Sequence, residues 1–162
     1  MTELSGPEDE LLLLAEQVAK ALDGTNRTAA TAESITCGTI AAALAAAQNA
    51  SQWFHGAVVA YNRDVKFSVL GVDPGPVITA GCARQMAVGA SALLGADIAV
   101  GTTGAGGPGP EEGQPAGTVF IAVTTPENDQ VREYHFTGEP AEVVHSATIQ
   151  ALRDLVAVLT EG

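Results

Sequence analysis

A carboxylate, hydroxyls and a thiol fall together at Glu33-Ser34-Ile35-Thr36-Cys37-Gly38, where small and β-branched residues (Thr28 to Ala32) give way to an alanine-rich run, Thr39 to Ala47. The first run suits a strand and the second a helix. A strand that turns into a helix presents side chains beside free backbone N–H groups, which attract anions and stabilise developing negative charge. Ser34 then has two readings. As a helix cap it contributes about 1 kcal/mol. As a nucleophile it needs a base within hydrogen-bond reach. His55, His135 and His145 stand in no recognisable Ser-His-Asp order, and Ser34 lacks the Gly-x-Ser-x-Gly elbow. Lysine is the other option. Lys20 belongs to the exposed side of the first helix, whereas Lys66 follows a strand end near Tyr61, with apolar Val65 and Phe67 beside it. A lysine base has to be neutral, which requires desolvation or cationic neighbours. The plainer reading of Lys66 is a solvated helix lysine. Cys37 is a rival nucleophile, because a helix N-terminus lowers a thiol pKa, or it is a small buried residue. Glu33 positions a hydroxyl or pairs with a backbone N–H, and Tyr61 donates to a ligand or closes its strand.

The loop Gly104-Ala105-Gly106-Gly107-Pro108-Gly109 matches Gly-x-Gly-x-x-Gly and follows a strand. Pro108 and Pro110 interrupt it, and a strand rather than a helix follows Gly117, so the dinucleotide-binding reading fails. No Gly-Lys-Ser/Thr makes a Walker A loop. What remains is a loop whose backbone can approach a ligand closely, with Thr103 at the strand end before it.

The positioning elements follow from local pattern. Residues 5–24 read as a helix with Pro7 in its first turn, acids behind it and Gly24 as a stop. Residues 28–33 read as a strand, 36–47 as a helix and 49–56 as a loop. Ala57 to Tyr61 is a buried strand, and Asn62 caps a short helix ending near Gly71. Thr79 caps a helix over 80–94 that Gly95 terminates, and 98–102 is another buried strand. Residues 118–123 and 131–136 make a hairpin around Pro126 to Asp129, and 140–159 is the last helix. This order predicts a three-layer α/β/α sandwich with a mixed, mostly parallel sheet of about five strands. Ligands in such sheets bind beyond the carboxyl ends of the strands, where Ser34, Tyr61 and Thr103 fall.

The bulk properties bound the function. With 162 residues the chain fits a single domain over 1–162. The formal net charge is −12, with Lys and Arg totalling 7 and scattered. Nucleic acid and anionic membranes are therefore poor partners. Cys37 and Cys82 form no Cys-x-x-Cys, so neither a metal site nor a disulfide is expected. The acidic start lacks the basic region of a signal peptide, and no apolar run reaches membrane-span length. The cytoplasm is the expected compartment. From spacing alone the reading stops at an anion-binding α/β domain or a serine–lysine hydrolase.

Three ordered blocks carry a resemblance. Ala32-Glu33-Ser34-Ile35-Thr36-Cys37-Gly38 resembles an Ala-Glu-Ser-Cys-Thr-Gly-Gly opening. Ser51-x-x-Phe54-x-Gly56-x-Val58-Val59-x-Tyr61, followed by Lys66, resembles a second block. Thr103-Gly104-x-x-Gly107-Pro108-Gly109, then Pro115-x-Gly117-Thr118-Val119, resembles a third. The sequence thus resembles the CinA C-terminal domain family, that of nicotinamide mononucleotide amidases (PncC-like), over about residues 8–160. It is similar to the stand-alone form of a family in which many members carry a further amino-terminal domain. It departs from the pattern at Ile35, Cys37 and Ala60, and the start of the last helix offers Pro140, Val144 and His145 with no arginine. The resemblance implies hydrolysis of nicotinamide mononucleotide to nicotinate mononucleotide and ammonia, without metal or cofactor. It makes Ser34 the nucleophile and Lys66 the general base, with Tyr61 beside them. Glu33, Thr36, Ser51, Thr103, Gly104, Gly107 and Gly109 then hold substrate or support the site, and N–H groups near the helix start hold the oxyanion. It also implies a homodimer or higher homo-oligomer. The alternative reading is a nucleotide-binding relative without catalysis or with altered specificity.

Overall fold

The computed structural model describes residues 6–161. The elements run α1 (Pro7–Leu22), β1 (Ala29–Glu33), α2 (Thr39–Ala45), α3 (Ala50–Trp53), β2 (Phe54–Val59), α4 (Arg63–Leu70), α5 (Ala80–Leu94), β3 (Ile98–Gly104), β4 (Thr118–Thr124), β5 (Asp129–His135) and α6 (Pro140–Thr160). Local chemistry sets the helix ends. The Asn62 side chain accepts the Asp64 N–H at the start of α4, and Gly71 stops that helix in a left-handed conformation. Thr79 caps α5 by accepting the Cys82 N–H, and Gly95 closes it in the same way as Gly71.

The sheet order is β2-β1-β3-β4-β5. β1 lies parallel to both β2 and β3, while β4 runs antiparallel to β3 and to β5. The parallel core and the terminal hairpin are those expected from the sequence. On one face Ile98, Val100, Val119, Ile121 and Val123 pack under α2 and α6, with Leu14, Val18 and Leu22 of α1 completing that core. On the other face Ala99, Phe120 and Ala122 meet Ala83 and Ala87 of α5, and α4 packs beside α5. Close approach there needs Gly101, because a Cβ at that position would stand 2.3 Å from the Ala83 carbonyl oxygen.

Several boundaries differ from the sequence reading. Ser5, where the first helix was expected to begin, lies outside the described residues. β2 begins at Phe54 and ends at Val59, so Tyr61 stands beyond it. Pairing with β1 draws polar His55 and Gly56 into this half-exposed edge strand. A short helix, α3, forms within the expected loop. β5 starts at Asp129 because its register with β4 continues down to Thr124. α2 starts at Thr39 rather than at residue 36, for a reason that lies in the site itself. No helix among the described residues is long and apolar enough to cross a membrane.

Candidate active site

β1 ends on Glu33, and Ser34 continues the strand by donating its N–H to the Thr102 carbonyl on β3 at 3.0 Å. The chain then turns sharply. Cys37 (φ 49°) and Gly38 (φ 93°) both adopt the left-handed conformation, which is why α2 starts only at Thr39. The Glu33 carboxylate, fully buried, reaches around this turn. One oxygen accepts the N–H groups of Gly38 and Ile40 at 3.2 and 3.0 Å; the other accepts the Ala41 N–H and the Thr31 hydroxyl, each at 2.9 Å. Glu33, not Ser34, therefore caps α2, and its oxygens are occupied within the protein rather than turned to a ligand. Thr36 is also fully buried and shares a 2.8 Å hydrogen bond with Thr102, so it fastens the turn to β3.

The capping corrects where an oxyanion could be held. The N–H groups of Gly38, Ile40 and Ala41 go to Glu33, those of Cys37 and Thr39 to the carbonyls of Ser34 and Thr36. The donors left without an acceptor among the described residues are the N–H groups of Ile35 and Thr36, directly after Ser34. The Ser34 side chain is itself buried at 8% exposure, and its hydroxyl makes no hydrogen bond among the described residues.

Lys66 lies on α4, whose Asn62 cap and Leu70 side chain aim it inward. It is 2% exposed, and its Nζ donates to the Tyr61 carbonyl at 3.0 Å. Burial holds the ammonium below the ordinary lysine value of 10.5; the carboxylates of Glu111 and Glu112, and Cys82 once ionised at alkaline pH, pull it partly back, and Arg63 pushes it down. Cys82 sits in the same apolar cluster, and burial pushes its thiol up to about 11, so it stays a neutral neighbour at physiological pH. The solvated lysine is thus not what the fold makes of this residue.

Ser34, Tyr61, Lys66, Thr103, Gly104 and Gly107 all line one cavity of about 480 Å3 at the carboxyl ends of β1, β2 and β3. Tyr61 stands at its mouth, 72% exposed, and the Thr103 hydroxyl donates to the Val77 carbonyl at 2.7 Å. Ser34 and Lys66 share the wall without a direct hydrogen bond between them. Glu33, Thr36, Cys37 and Gly109 do not line the cavity. Ser51 is exposed on α3, before β2, and so sits at the opposite end of the sheet. His145 lines a groove against the start of α1 instead, leaving Pro140 and Val144 as the α6 residues on the cavity wall. A second cavity, about 550 Å3 and lined by Glu16, Lys20, Arg27 and Trp53, lies at the amino ends of β1 and β2 and contains none of these residues. Among the described residues no group of three His, Cys, Asp or Glu side chains is arranged to hold a metal ion.

Sequence reasoning missed the acidic turn of the Gly/Pro loop. Glu111, Glu112 and Arg63 line the cavity. The Glu112 carboxylate accepts the Val77 and Ile78 N–H groups at 3.0 Å and pairs with Arg63 at 3.2 Å. This ties the loop over the cavity to the segment between α4 and α5. The signal was a Glu-Glu-Gly turn inside an otherwise uncharged loop.

A family model described as the CinA C-terminal domain matches residues 12–159. The chain belongs to the CinA C-terminal domain family. A putative competence-damage inducible protein of Bacillus pumilus is 35% identical over 154 residues, taking in 92% of this chain and 37% of that relative. A CinA-like protein of Frankia casuarinae is 38% identical over 140 residues, 83% of this chain and 32% of its own length. The chain therefore spans about a third of the length of these curated relatives. Crystal structures show the same fold. A CinA superfamily protein of Klebsiella pneumoniae superposes with a TM-score of 0.89 at 33% identity, covering 94% of this chain and 99% of that one. Its Escherichia coli counterpart gives 0.87 at 29%, covering 98% and 93%.

Proposed function

We propose that this protein hydrolyses the carboxamide of nicotinamide mononucleotide, releasing nicotinate mononucleotide and ammonia, through Ser34 and Lys66. The observation that carries the reading is a lysine held at 2% exposure on the wall of the cavity onto which the unpartnered hydroxyl of an otherwise buried serine opens. Burial disfavours the ammonium, so a neutral amine is available to take a proton at lower pH than an ordinary lysine would. The Tyr61 carbonyl accepts one N–H of that amine and leaves its lone pair for Ser34. Such pairs often tighten only when substrate is bound.

Ser34 Oγ adds to the amide carbon while its proton passes to Lys66. The carbonyl electron pair moves to oxygen, where the N–H group of Ile35, on the cavity wall, is the available donor. Collapse breaks the C–N bond, and Lys66 returns the proton to the departing ammonia. Water, deprotonated by Lys66, then adds to the acyl ester; the ester bond breaks and Ser34 regains its proton. The Gly104–Gly107 backbone and Thr103 bound the ribose-phosphate side of the cavity.

Purified protein incubated with the mononucleotide while ammonia is followed tests this. Ser34→Ala should lower kcat by at least about a hundredfold without changing the urea midpoint. Wild-type turnover no faster than the variant's refutes the chemistry. An inert mononucleotide with a hydrolysed neutral amide refutes the substrate and leaves the Ser34–Lys66 pair standing.

A further inference from the structure

One carboxylate on the cavity wall is not used by the chain itself. Glu111 and Gln114 exchange both backbone hydrogen bonds, at 3.0 and 2.8 Å, around a turn whose corners are Glu112 (φ 51°) and Gly113 (φ 75°). Glu112 pins that turn to the Val77 and Ile78 N–H groups and to Arg63. Glu111 is thereby held at the cavity it lines. Its carboxylate accepts no hydrogen bond and joins no ion pair among the described residues; the charge it faces is that of Lys66. Arg63 is matched by Glu112, and Lys66 has to be neutral to act as a base. In that state Glu111 is the uncompensated charge of the cavity. The Ser34 hydroxyl, on a residue only 8% exposed, opens onto the same cavity without a partner of its own and marks where a ligand's reacting atom would sit.

We propose that Glu111 is a specificity-determining residue that holds the positively charged ring of an N-substituted pyridinium carboxamide, so that the site selects a quaternised pyridine amide over a neutral one. This rests on the amide-hydrolysing reading of Ser34 and Lys66. The attraction involves little desolvation cost because Glu111 is exposed at the rim. It also offsets part of the repulsion that a protein of net charge −12 exerts on the phosphate end of the same ligand. Once Lys66 has taken the Ser34 proton, the same carboxylate faces an ammonium.

The test uses calorimetry on Ser34→Ala with nicotinamide mononucleotide and with its dihydro form, which carries the same ribose phosphate and carboxamide on a neutral ring. The oxidised form should bind about fivefold more tightly. Adding Glu111→Gln should remove the preference, and Glu111→Lys should reverse it. Equal affinity for the two forms, binding of neither, or a preference unchanged by Glu111→Gln overturns the proposal. With Ser34 in place, Glu111→Gln should also move the acid limb of kcat/KM to lower pH. Lys66 then loses one facing carboxylate and keeps Cys82 from α5, Arg63 from α4 and Glu112 from the turn. A retained ring preference without ammonia release by the wild-type protein overturns the amidase reading and supports the role of Glu111.

Discussion

Replacing Glu33 by alanine removes the acceptor of several donors at once. The Ile40 and Ala41 N–H groups lose bonds of 3.0 and 2.9 Å, Gly38 loses one of 3.2 Å, and the Thr31 hydroxyl loses one of 2.9 Å. A buried donor left without a partner costs about 1–3 kcal/mol. Gly38 is half-buried and its bond is the longest, so water recovers most of that loss. Ile40 and Thr31 are fully buried, and the first turn of α2 has no other cap. The sum for Glu33→Ala is about 3–4 kcal/mol, a large part of a typical stability of about 5–15 kcal/mol. Glu33→Gln keeps one acceptor oxygen, which serves Gly38 and Ile40. Its amide N–H2 then faces the Ala41 N–H, so the loss is about 1–2 kcal/mol. Urea unfolding followed by the fluorescence of Trp53 reads both values. That residue is the one tryptophan of the chain and is buried in the same core as Ile40 and Leu44. Ammonia release should fall in the same order, since Ser34 sits at the start of the turn that Glu33 closes. An alanine variant within about 0.5 kcal/mol of wild type, or a glutamine variant as destabilised as the alanine one, refutes the capping argument.

Lys66→Met should abolish ammonia release yet stabilise the fold by about 1–2 kcal/mol at neutral pH, because it removes a buried amine whose proton burial disfavours. The folded-state pKa lies below the unfolded one, so the unfolded chain binds more protons between the two values and wild-type stability rises with pH there. The advantage of Lys66→Met should therefore shrink as pH approaches 10.5, the ordinary lysine value; urea midpoints at neutral and alkaline pH check it, and a constant difference refutes it. At the other edge of the sheet, the Tyr134 hydroxyl donates to both oxygens of the buried Asp154 at 2.9 and 2.7 Å. Burial and that carboxylate push its phenol up from 10.0 to about 12. Its stabilisation is complete below pH 10 and lost as pH climbs towards 12. Tyr134→Phe should unfold with a shallower alkaline pH dependence in that window, as read by circular dichroism.

Much of the fold is legible in the chain because its signals are local. Asn62, Thr79, Gly71 and Gly95 bound α4 and α5 at the residues where the sequence places them, since a cap or a left-handed stop acts within one turn of backbone. The apolar run at 98–102 reads as a buried strand and that at 118–123 as a strand, and strand ends are where a parallel sheet leaves room for ligands. Ser34, Tyr61 and Thr103 stand out on that ground from the order of the chain, and Lys66 only as a candidate base beyond such an end.

The alternation of elements, the helix caps and stops, and the small residues that let α5 lie on the sheet are already present in the order of the chain. Tertiary structure alone decided the electrostatic state of the site. Lys66 is flanked in the chain by residues that suit either water or the core, and only the packing of α4 on α5 buries it. Glu33 looked equally fit for a ligand or a backbone group; the left-handed turn at Cys37 and Gly38 brings the N–H groups of α2 onto its carboxylate and settles its bonds there. Ser51 lies close in sequence to the strand that leads to Tyr61, yet the length of β2 puts the two at opposite ends of the sheet. Arg63 and Glu112 meet across 49 residues of chain. Helix and strand preferences are set by neighbours in sequence, whereas burial, pairing and charge balance are set by neighbours in space, which a single chain read in order does not reveal.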